Sequence, residues 1–234
     1  IFVSHKLDEV EQLCSVVTVL RQGRVAGQVK APFSTARLVE LMFGQELCKS
    51  PRPHVDLGAV ALELRDVCLH SHRLHLEHLD LALRCGEVVG LAGLEGSGQQ
   101  LLMRACAGIQ SLDAGRLWVN GEELTGRPYQ RFLQAGVGFV PAARLEEGLV
   151  PGLRLREHFA LADRGASFFV PWAEADRRAE RMIEEFNIIG RPDTLVQELS
   201  GGKQQRALLS LLPERLQVLI LEHPTRGLDI ESAD

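Results

Sequence analysis

Residues 198–229, ELSGGKQQRALLSLLPERLQVLILEHPTRGLD, limit the fold more than any other part of the chain. A Ser-Gly-Gly turn, a helix-forming run and a short apolar strand follow one another, and the strand runs into a Pro-Thr-Arg-Gly-Leu-Asp turn. Ser200, Gly201 and Gly202 stand directly before a helical run opened by Lys203, Gln204, Gln205 and Arg206. Unpaired N–H groups and the positive end of the helix dipole therefore face whatever docks at the turn, which suits a phosphate. The apolar run at 218–221 (VLIL) predicts a strand buried on both faces of a parallel sheet. Such a strand delivers Glu222 and His223 to its carboxyl end, where open α/β sheets bind ligands.

A second turn of the same kind lies upstream. Residues 88–92 (VVGLA) predict a buried strand, and Gly93-Leu94-Glu95-Gly96-Ser97-Gly98-Gln99-Gln100 follow before an apolar helix from Leu101. Glycines let the backbone curl until successive N–H groups face one anion, with the helix dipole behind them. Gly93, Gly96, Ser97, Gly98, Gln99 and Gln100 thus read as a P-loop in which Gln99 and Gln100 replace the usual Lys and Ser or Thr. No ammonium then reaches the β and γ phosphates, and no hydroxyl ligates magnesium.

LSGGKQQ, residues 199–205, resembles the signature motif of ATP-binding cassette ATPases. LILEHPTRGLD, residues 219–229, resembles a Walker B strand followed by its D-loop. The PTRGLD wording and the paired glutamines resemble the second cassette of the tandem ATPase subunit of bacterial simple-sugar and nucleoside importers. The fold implied is α/β: a P-loop NTPase with an antiparallel β subdomain and an inserted helical subdomain. The resemblance implies ATP and Mg2+ as cofactors and membrane-spanning permease subunits as partners. It also implies a periplasmic or lipoprotein substrate-binding protein as an indirect partner, and a peripheral position at the cytoplasmic face of a bacterial membrane.

Cassettes of this kind pair head to tail, each ATP lying between the P-loop of one and the signature of the other. Ser200, Gly201, Gly202 and Gln204, with Asp229 of the D-loop, would then serve the nucleotide of the partner cassette. At the start of the chain, Ser4-His5 before KLDEV, and then VTVLRQGRVAGQ, resemble the tail of a first cassette, with His5 as a switch histidine on the γ-phosphate. On that likeness residues 1–47 close a first cassette, 48–59 are a linker, and 60–234 are a second cassette truncated after its D-loop.

An intact Walker B end carries Asp and then Glu, and here Glu222 and His223 stand in those places. Glu222, one methylene longer than Asp, is expected to reach a hydrated magnesium ion; His223 is a candidate catalytic base, though a poor geometric match for a carboxylate. Phosphoryl transfer rests on positioning and charge neutralisation, so the joint loss of Lys, hydroxyl and carboxylate predicts a slow or dead pocket beside an undamaged signature. Two other classes fit less well. A chromosome-maintenance ATPase would carry long heptad coiled coils, and none occurs here; a ribosome-associated one would favour basic linkers. A nucleotide-binding scaffold without turnover would have no use for an intact signature.

Composition agrees with a globular ATPase. The chain has 234 residues, 45% hydrophobic and 24% charged, and its net charge of −5 does not favour nucleic acid or an anionic membrane surface. No run of about 18 apolar residues exists, so a membrane link must go through a partner. Five scattered cysteines without a CxxC pair indicate neither a zinc site nor a disulfide framework.

The remaining elements read in order. Residues 1–3 look like a strand end entering a helix, 16–20 and 24–29 like a hairpin, and Ser34 or Thr35 caps a short helix that Gly44 ends. Two antiparallel strands are expected from Val60 to Leu83, carrying His70, His72, His75 and His78 on a solvated face rather than in a metal site. His70 or His72 replaces the aromatic residue that stacks on adenine in many cassettes. Strands at 115–120 and 137–140 and an amphipathic helix over 172–189 complete the pattern, with Ala142 where cassettes place a polar Q-loop residue.

Overall fold

The computed structural model describes residues 1–4, 7–21, 23–44, 54–72, 74–162, 169–213 and 215–225. The chain divides into two compact units, one within residues 1–54 and the other within 55–227.

In the first unit, α1 (Leu7–Leu13) precedes an antiparallel hairpin of β1 (Val16–Arg21) and β2 (Arg24–Lys30), followed by α2 (Thr35–Phe43). Ser34 caps α2: its hydroxyl accepts the Arg37 N–H at 3.4 Å. Gly44 ends the helix in the left-handed region, φ 77°, and returns its N–H to the Glu40 carbonyl. Val10, Val19 and Leu38 form the small core, one from each layer. Residues 1–3 join no strand, and Val3 is 90% exposed.

The second unit opens with β3 (Val60–Ser71) and β4 (Leu74–Arg84), which with β5 (Ala114–Val119) and β6 (Glu122–Glu123) form an antiparallel sheet in the order β4-β3-β5-β6. Leu62 and Leu64 of β3 lie opposite Val119 and Leu117 of β5, and all four are buried. Into that apolar face α3 (Gln99–Cys106) lays Leu102, Ala105 and Cys106. Phe132 of α4 (Tyr129–Gln134) joins the same core, as do Val137 of β7 (Val137–Val140) and Val218 and Ile220 of β8 (Val218–Leu221). β7 and β8 pair in parallel with Val137 opposite Val218, as expected, but β8 is not covered on both faces: Val218 and Ile220 turn into the core, and Leu219, on the other face, is 41% exposed because, among the described residues, nothing packs over it.

A helical layer follows β7: a π-helical turn Arg144–Gly148, then α5 (Leu155–Ala162), α6 (Trp172–Glu185) and α7 (Gly201–Ser210). Leu149, Leu155, Ile188, Val196, Leu199 and Leu208 pack there with Val140. α6 stops short of the expected 189, because Asn187 takes a left-handed φ of 48° and turns the chain.

Residues 88–92 do not form the expected buried strand. Val88 is 96% exposed and Leu91 42%, and among the described residues the parallel sheet is two strands wide. A strand apolar on both faces needs neighbours to accept its backbone groups and cover its side chains, and this run has neither.

Candidate nucleotide site

Gly98, with φ 109°, sets the start of α3, and a Cβ there would press on the side chains of Leu74 and Leu76 at 3.0 Å. In front of it residues 93–97 form an exposed turn in which the Ser97 N–H donates to the Leu94 carbonyl at 3.1 Å. Gln99 folds back across the turn, its Nε2 donating to the same carbonyl at 3.3 Å. The amide thus takes the inside of the loop where a lysine was expected to be missing.

Gln100 points the other way, toward β8. Its Nε2 donates to Glu222 Oε2 at 3.4 Å, and the Ala142 N–H donates to the same oxygen at 3.3 Å. The Glu222 N–H continues the parallel ladder onto the Val140 carbonyl at 3.0 Å, which fixes the residue at the strand end and leaves it 2% exposed. One turn along α3 from Gln100, Arg104 places Nε 3.6 Å from Glu222 Oε1, an ion pair without a hydrogen bond. Glu147 of the π-helical turn clamps that guanidinium, taking Nη2 on both carboxylate oxygens at 2.8 and 2.6 Å. The Glu147 bond holds the Arg104 guanidinium above its ordinary pKa against the opposing effect of burial.

Magnesium does not fit these residues. The Glu222 carboxylate faces two N–H donors and a cation, and among the described residues no three His, Cys, Asp or Glu side chains gather as a metal site. His223 is exposed in a left-handed conformation, φ 42°, just past β8. On the β3–β4 hairpin, His70 lies 3.1 Å from Asp113 and edge-on to His75, on a partly exposed face.

The signature turn is built differently. Ser200 is the N-cap of α7, exposed, and its hydroxyl makes no capping bond. Gln204, read from sequence as a nucleotide contact, is buried: its Nε2 donates to the Leu199 carbonyl at 3.0 Å and the Val196 carbonyl at 3.4 Å, holding the turn in shape. Gln205 accepts from Arg144 Nε at 2.8 Å, tying α7 to the π-helical turn, and burial lowers the pKa of Arg144. Ser200 is exposed at the helix start, and Gly201 and Gly202 behind it are half-buried. His5 and Asp229 lie outside the described residues.

Sequence reasoning missed Arg104 and Glu147. The spacing of Gln100 and Arg104, four residues apart on one helix, was the available signal, since both then share a face.

A glycine-rich turn leading into α3, a parallel pair ending in a buried carboxylate and a second glycine turn at the start of α7 define a P-loop NTPase of the α/β class. A family model described as ABC transporter matches residues 76–226, and the chain belongs to that family. A solved structure titled as the ATP-binding subunit of an ABC transporter superposes with a TM-score of 0.58 at 25% identity, covering 74% of this chain and 70% of that one. Among curated relatives, the ribose import ATP-binding protein RbsA 1 of Rubrobacter xylanophilus is 38% identical, covering 98% of this chain and 47% of the relative. The xylose import ATP-binding protein XylG of Burkholderia ambifaria is 35% identical with the same coverage, 98% and 47%. The chain thus spans about half the length of the curated relatives it matches.

Proposed function

We propose that this chain is part of an ATPase subunit that couples ATP binding and hydrolysis to import of a sugar or nucleoside through a membrane permease. In this reading residues 1–47 close one cassette, 48–59 link, and 60–234 carry most of a second. The observation that carries it is a contrast within one domain: Ser200 is exposed at the start of α7 and its hydroxyl makes no capping bond, whereas Glu222 is buried under Arg104, Gln100 and the Ala142 N–H. The signature serves ATP and Mg2+ held by the first cassette, with Asp229 beside it and His5 contributed from the opposite side. Its own turn, residues 93–100, keeps a nucleotide without turning it over.

The relatives' names support the importer reading, and ribose and xylose are the cargo those names state. No helix among the described residues is long and apolar enough to cross a membrane, in keeping with a subunit that works through permease partners at the cytoplasmic face. A cleft of about 710 Å³ between α4, β7 and the end of α7 is of mixed polarity, with Tyr129, Phe139 and Leu212 on its walls beside Arg104 and Glu147.

The test is ATP hydrolysis by the complete two-cassette protein carrying Gly201→Asp, which sets a carboxylate where a phosphate docks. Turnover is expected to fall by about 100-fold or more, as when a phosphate-facing donor is lost. Unchanged turnover would replace this reading with a nucleotide-binding scaffold, the class that the closed Glu222 otherwise favours.

A further inference from the structure

The environment of Glu222 points beyond a merely slow pocket. A divalent ion held by a protein needs oxygen ligands with free lone pairs, and magnesium demands them at about 2.0–2.1 Å in an octahedron. Oε2 of Glu222 takes the Gln100 amide and the Ala142 N–H, and Oε1, which accepts no hydrogen bond, has the Arg104 guanidinium standing in front of it with Nε at 3.6 Å. The Gln100 amide cannot rotate to offer its oxygen, because its carbonyl would then confront the carboxylate; the charge on Glu222 fixes the NH2 inward. Arg104 in turn is not free to leave, since both oxygens of Glu147 hold its Nη2. A dication arriving beside Glu222 would meet a guanidinium already seated there.

Resting on the reading of residues 93–100 as a retained nucleotide pocket, we propose that this pocket takes its nucleotide without a protein-held divalent cation, Arg104 locked by Glu147 occupying the cation's position on Glu222. The protein then contributes no ligand to the metal, and affinity for the triphosphate comes from the N–H groups of the turn and the start of α3. Free ATP and its magnesium complex bind alike. This is a binding property, distinct from whether the pocket hydrolyses anything.

The experiment is equilibrium titration of the chain with a fluorescent ATP analogue, once in excess EDTA and once in excess Mg2+. The two Kd values are expected to agree within about twofold. Tightening by Mg2+ of about tenfold or more overturns the inference while leaving the proposed function in place. Binding in neither condition overturns both the inference and the retained pocket on which it rests. Arg104→Met, which uncovers the Glu222 carboxylate, is expected to make binding tighten by about fivefold or more with Mg2+. An Arg104→Met protein that binds but stays indifferent to the ion overturns Arg104 as the group that excludes it. If that variant fails to fold, the wild-type comparison alone decides.

Discussion

His158 on α5 shows how a single buried side chain sets a pH response. Its Nε2 accepts the Val150 N–H at 2.9 Å and its Nδ1 faces the Arg154 carbonyl at 2.8 Å, so the neutral ring with hydrogen on Nδ1 satisfies both partners. A second proton on Nε2 would turn an acceptor against an N–H. Burial pushes the pKa of this ring below the ordinary 6.5, outweighing the Arg154 carbonyl and the Glu157 charge, which both raise it. The sign follows: below 6.5 the unfolded chain binds a proton that the folded chain resists, so stability is full above 6.5 and is lost as the pH falls through the depressed folded value. Urea denaturation near neutrality and again in mild acid is expected to show the wild type losing stability on acidification. His158→Gln is expected to cost about 1–2 kcal/mol near neutrality through the bonds to Val150 and Arg154, and to lose less than the wild type on acidification. An equal acid loss in both proteins would remove His158 as the cause.

At the scale of elements, the β3–β5 pairing depends on Gly115. Its φ is 85°, and a Cβ there would run into backbone on three sides, the Asp66 and Arg65 carbonyls and Val67 Cα at 2.6 Å, where the register between Arg65 and Cys68 shifts. Because the obstacle is backbone and not a side-chain tip, nothing nearby yields easily. Gly115→Ala is expected to cost about 2–4 kcal/mol, strain and collision together, read as a lowered urea midpoint at unchanged slope. What was legible in the sequence at this scale was local. The hairpin at 16–30, the Ser34 and Gly44 caps and the apolar runs of β7 and β8 announce themselves because neighbouring residues decide them. The run at 88–92 misled, since two-sided burial depends on adjoining strands that its own residues do not specify. The same holds inside the site. The glycine turns at 93–98 and 200–202, each ahead of a helix, could be read from local residues, but the Arg104–Glu147 clamp joins residues 43 apart and the Gln100–Glu222 bond residues 122 apart. Such pairs exist only once α3, β8 and the π-helical turn have packed.

For the molecule as a whole, the second unit combines an exposed Ser200 at the start of α7 with a Glu222 carboxylate buried against Arg104. On the proposed function, such a domain completes a site elsewhere and does not run phosphoryl transfer from its own parts. In its own pocket, Gln99 gives no positive charge, Gln100 gives no hydroxyl, and the Glu222 carboxylate is engaged by the Gln100 amide, the Ala142 N–H and the Arg104 guanidinium. Each missing contribution alone lowers the rate by orders of magnitude, and together they leave nothing to neutralise the charge that develops on the transferring phosphoryl group. The chain of 234 residues on its own is therefore expected to release no inorganic phosphate from ATP above a protein-free blank, whatever the divalent ion. Measurable release that His223→Ala abolishes would mean that the imidazole beside β8 serves as a base in this unit's own pocket, and the division of labour would have to be abandoned.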